Sequence, residues 1–66
     1  MLLWINGQER QAPELGNVAD LARWLELPAF GSAMELNGRV IRKAEYKAQE
    51  LREGDHLEVV RLVGGG

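Results

Sequence analysis

The stretch Leu51-Arg52-Glu53-Gly54-Asp55-His56-Leu57-Glu58-Val59-Val60-Arg61-Leu62-Val63-Gly64-Gly65-Gly66 decides the fold. Its opening residues carry turn chemistry, with Gly54 and Asp55 suited to a tight reversal. Leu57 and Val59 then alternate with His56 and Glu58, the period of a strand with one buried face. Val60, Leu62 and Val63 continue that strand, and the chain passes directly into three glycines with no serine or charged spacer. Working outward, the rest of the sequence must supply the strands and the cover that such a segment needs.

Leu2-Leu3-Trp4-Ile5 is rich in strand formers and meets Asn6-Gly7, a dipeptide that tolerates the positive φ angles of a two-residue hairpin. The second arm, 8–12, is short and polar, as suits an edge strand, and Pro13 ends it. Ser32 to Leu36, Asn37-Gly38 and Arg39-Val40-Ile41 predict a second hairpin. Between the hairpins, Val18, Leu21, Ala22 and Leu25 fall at i, i+3, i+4, i+7, which predicts an amphipathic helix over 17–27. Asn17 caps it, Asp20 completes a pair like a capping box, and Pro28 and Gly31 break the pattern. Residues 42–49 are polar around Tyr46 and read as a helical turn or irregular connection. The order predicts an α+β fold, a mixed sheet of four to five strands with one main helix on one face. The first and last strands are the most apolar, so they are expected side by side at the sheet's centre. One domain, 1–63, is followed by a flexible tail, 64–66.

Composition narrows the function. Sixty-six residues bury too little to build a deep catalytic cleft. There is no cysteine, hence no disulfide, thiolate metal site or cysteine nucleophile, which fits a reducing compartment. A net charge of −2 without a basic run gives nucleic-acid binding little support. The longest apolar run, residues 2–5, is too short for a signal peptide or membrane span, so a cytoplasmic location is expected. His56 is the sole histidine and has no companion ligand, the acidic residues form no acid-base spacing, and Arg42-Lys43 reads as a solvated loop charge.

A glycine end by itself is the common mark of fraying. Joined without a spacer to an apolar strand, it becomes a segment able to thread a narrow tunnel and present a carboxylate at Gly66. The Asn6-Gly7 turn, Asn17-Val18-x-Asp20-Leu21, Asn37 with Val40 and Arg42, Tyr46, Leu51-x-x-Gly54-Asp55-x-Leu57-Glu58-Val59 and the end Val63-Gly64-Gly65-Gly66 together resemble the ThiS family of sulfur carriers in thiamin biosynthesis. The resemblance spans nearly the whole chain. Ile41 departs from it, where the family often carries proline.

That resemblance implies a ubiquitin-like β-grasp fold and a protein that is a substrate of other enzymes, not a catalyst. The Gly66 carboxylate would be adenylated by an E1-like enzyme using ATP and magnesium, with no cofactor bound by the chain itself. Sulfur from a donor such as a cysteine desulfurase would convert it to a thiocarboxylate that serves thiazole synthase. Gly64 and Gly65 would thread the partner's active site. Trp4, Val60, Leu62 and Val63 are candidate docking residues, because alternation sets Trp4 opposite Leu3 and Ile5, and puts Val60 and Leu62 on the parity of His56 and Glu58. The free protein is expected to be a monomer. Three alternatives stay open: the small subunit of molybdopterin synthase, a ubiquitin-like modifier joined to lysines, and a passive module resembling TGS domains.

Overall fold

The computed structural model describes residues 1–28 and 30–61. Its elements are β1 (Leu2–Ile5), β2 (Gln8–Gln11), α1 (Val18–Trp24), β3 (Ser32–Leu36), β4 (Arg39–Ile41), a 3₁₀ turn (Lys43–Glu45) and β5 (His56–Arg61). The five strands form one sheet in the order β2-β1-β5-β3-β4. The expected neighbours are neighbours: β1 runs parallel to β5, with Trp4 opposite His56 and Ile5 opposite Leu57. All other pairings are antiparallel, so the sheet is mixed.

Each hairpin turns on Asn-Gly with φ positive at both residues: 50° and 80° at Asn6 and Gly7, 50° and 86° at Asn37 and Gly38. Two-residue hairpins require that geometry, and glycine adopts it without a steric penalty. Helix α1 starts as expected, the Asn17 side chain accepting from the Asp20 amide at 2.8 Å. The reciprocal bond differs, since the Asp20 carboxylate accepts from Gly16 N (3.1 Å) and pairs with Arg23 rather than reaching back to Asn17. The helix also ends earlier than periodicity predicted. Glu26 takes φ 56°, its amide donates to Arg23 O, and the Leu27 amide donates to Ala22 O. This is a Schellman closure with glutamate where glycine is usual.

A helix of seven residues is too short to stand alone and is held by packing. Val18 and Leu21 lie against Leu3, Ile5, Met34, Leu36, Ile41 and Leu57, so one sheet face forms the core and the other is left open. Arg10 from β2 stacks over Trp24, which flanks that core. Tyr46 anchors the 42–49 connection, its ring buried, its hydroxyl without a hydrogen-bond partner among the described residues. Burial raises its phenol pKa above the ordinary 10.0. Lys43 corrects one expectation: its ammonium is not merely solvated but donates to Ser32 O and Oγ (3.2 and 3.0 Å) and sits over the Tyr46 ring.

Candidate functional site

The candidate site is the end of β5, the last described strand, because the glycines follow it in the sequence. β5 is the middle strand of five, so its end is supported from both sides. On one side the Asn6 amide grips it: Val59 N donates to Asn6 Oδ1 at 2.7 Å and Asn6 Nδ2 donates to Val59 O at 3.2 Å. On the other side Arg61 is opposite Ser32 of β3. Ser32 is itself tied down, its hydroxyl donating to Pro28 O at 3.0 Å and its carbonyl accepting from Lys43. The Arg61 guanidinium reaches across to the C-terminal end of α1 and donates to Leu25 O at 2.8 Å, where an exposed carbonyl favours a cation. Strand, hairpin and helix together hold Val59 to Arg61, the last described residues before the glycines in sequence.

Of the residues singled out from sequence, Trp4 and Val60 lie in the described part. Trp4 is half-buried on the open face and stacks on His56, ring centroids 5.7 Å apart and planes 9° off parallel. Val60 shares that face and is 53% exposed. Leu62, Val63, Gly64, Gly65 and Gly66 lie outside the described residues, as does the expected tail as a unit.

Two exposed apolar residues were not among the docking candidates read from the sequence. Phe30 is 88% exposed, two positions before the Ser32 that faces Arg61. Its signal was a lone aromatic in the loop between Pro28 and Gly31. Val40, 63% exposed, is opposite Glu35, which in turn is opposite Glu58. The pairing of Glu35 with Val40 follows from the two-residue Asn37-Gly38 hairpin and was readable, whereas the pairing of Glu35 with Glu58 depends on a long-range register.

Among the described residues no group of three or more His, Cys, Asp or Glu converges as a metal site. A polar groove runs beside Asn37, Gln49, Arg52 and Asp55, and several of its polar groups bond one another. Asn37 and the Arg52 amide donate to the two Asp55 oxygens, and Arg39 donates to Gln49. No described helix is long and apolar enough to cross a membrane.

The fold agrees with what the chain is similar to. A crystal structure and a solution structure of the thiamine biosynthesis protein ThiS from Geobacter metallireducens superpose with TM-scores of 0.82 and 0.84, at 30% and 29% identity. Both comparisons cover this entire chain, with 100% and 88% of the respective structures. A thiazole synthase of Paramagnetospirillum magneticum is 35% identical over 66 residues; this chain spans 20% of that protein's length. The uncharacterized protein ycf40 of Trieres chinensis is 29% identical over 63 residues, covering 96% of this chain and 86% of the relative. The sequence model of the ThiS family matches residues 3–66. The mixed five-stranded sheet with its single helix is thus the ubiquitin-like β-grasp, and the chain belongs to the ThiS family of sulfur carriers.

Proposed function

We propose that this chain carries sulfur for thiazole formation in thiamin biosynthesis, as a thiocarboxylate on Gly66. The observation that carries the reading is a family match that runs through residue 66, glycines included, on a fold in which Arg61 is tied to the end of α1. A carboxylate is a poor electrophile because its oxygen is a poor leaving group. An E1-like partner holding ATP and magnesium would supply the leaving group by forming the acyl-adenylate and releasing pyrophosphate. A persulfide sulfur from a desulfurase-type donor then displaces AMP, and thiol reduction of the resulting S–S bond leaves the thiocarboxylate. That sulfur is a soft nucleophile, suited to transfer on thiazole synthase. The long relative named thiazole synthase supports this pairing, because it contains a segment like this whole chain. The chain itself acts as the substrate of these enzymes, and catalysis belongs to them.

Gly64 and Gly65 add length without side chains, so a tunnel shaped for bare backbone admits them and a β-carbon at either position collides with its wall. Intact-mass analysis of protein from thiamin-starved cells tests the reading. A mass rise equal to replacing one oxygen by sulfur at Gly66 is expected. Isopeptide-linked Gly66 on other proteins, or capture solely by a molybdopterin synthase large subunit, would refute it.

A further inference from the structure

Among the described residues the sheet face opposite α1 has no cover, and its middle holds an arrangement that the isolated fold gains nothing from. Glu35 and Glu58 are directly opposite one another on adjacent strands. Like charges in that position destabilise a sheet. No cation lies within salt-bridge distance of either among the described residues, where the ion pairs are Met1–Glu14 and Arg23–Asp20. The carboxylates are flanked by exposed apolar groups, Val40 opposite Glu35 and Val60 two residues along from Glu58. Such a pattern of acidic centre and apolar rim complements a basic side chain set in an apolar surface.

The occupant follows from reach. Gly66 is five residues beyond Arg61, so the extended chain between them spans at most about 17 Å. An enzyme that acts on Gly66 must bring its surface within that distance of the end of β5, and Val60 and Glu58 lie just before that end. We propose that the open face seats the adenylating enzyme and that Glu35 and Glu58 receive a lysine or arginine from it. The acidic pair is thus a specificity determinant, maintained against its cost to the free fold. This rests on the adenylation reading above.

The test compares the full-length chain with the double variant Glu35→Gln/Glu58→Gln as substrates of the E1-like adenylating enzyme from the same organism, in ATP–pyrophosphate exchange. Lys47→Gln, near the α1 N-terminus, serves as control. The double variant is expected to raise KM about tenfold or more, as for loss of at least one charge-assisted contact. kcat should hold, the salt dependence of KM should flatten, and the midpoint of thermal unfolding should stay level or rise. An unchanged KM, or an equal rise in Lys47→Gln, overturns the proposal. A wild-type chain that supports no exchange sinks the adenylation reading itself, whereas exchange by both chains with equal KM sinks only the docking face.

Discussion

The two Asn-Gly turns are the same dipeptide in the same conformation, yet they act on β5 differently. At Asn37 the side chain accepts from His56 N at 3.0 Å and donates to the Asp55 carboxylate at 3.1 Å, fixing where the strand begins. At Asn6 both amide atoms bond the backbone of Val59, mimicking a strand partner two residues before Arg61. Each turn also donates its Asn amide to a β5 carbonyl, Leu57 O from Asn6 and His56 O from Asn37. The difference teaches that a hairpin turn can double as a clamp, and that only the Asn6 clamp sits near the end of β5, ahead of the segment proposed to carry sulfur.

Asn6→Ala breaks the comparison hardest. It removes a residue that tolerates positive φ and strands two polar groups of Val59, a loss of about 2–3 kcal/mol by denaturant unfolding. Adenylation of the fraction that remains folded should slow as well. Asn37→Ala should cost about 1–2 kcal/mol yet leave adenylation of the folded protein intact. Equal effects on adenylation would erase the distinction. Asn37→Asp sets a carboxylate against that of Asp55, so its destabilisation should exceed that of Asn37→Ala at neutral pH and shrink as salt is added.

Glu26 is the third non-glycine residue with positive φ, and no described hydrogen bond of its side chain accounts for the choice. Glu26→Gly should therefore stabilise by about 1 kcal/mol, raising the unfolding midpoint by roughly 4–8 °C in a domain this small. Tyr46 inverts the logic of the asparagines, since its hydroxyl is buried unpaired. Tyr46→Phe should be neutral or stabilising by up to about 1 kcal/mol. The wild-type phenol holds its proton above the ordinary 10.0, so the unfolded chain ionises first. Stability then falls as pH rises through the range above that value, a slope that the phenylalanine variant should lack.

Local patterns made most of the fold readable. Asn-Gly turns force two-residue hairpins, and the apolar first and last strands belong in the middle of a sheet. The helix start was equally legible at Asn17. Its end was not, because Glu26 adopts a conformation that composition reserves for glycine and asparagine. The side chains of Asp20 and Lys43 chose partners, Gly16 and Ser32, that spacing alone does not indicate. At the site, alternation put Trp4 and Val60 on the open face, whereas the like-charge pair is 23 residues apart in sequence and is created only by the register of β3 on β5.

The parallel pairing of β1 with β5 bears on how the molecule comes into being. The first strand cannot find its central neighbour until almost the whole chain exists, so the closing event spans more than fifty residues and is slow relative to helix formation or hairpin zipping. A fragment lacking β5 has no middle strand on which to assemble its two hairpins. The strand that precedes the proposed sulfur-bearing end is thus also the keystone of folding, and under the proposed function a chain cut short before β5 is not expected to persist as a folded decoy that occupies the enzymes without carrying sulfur.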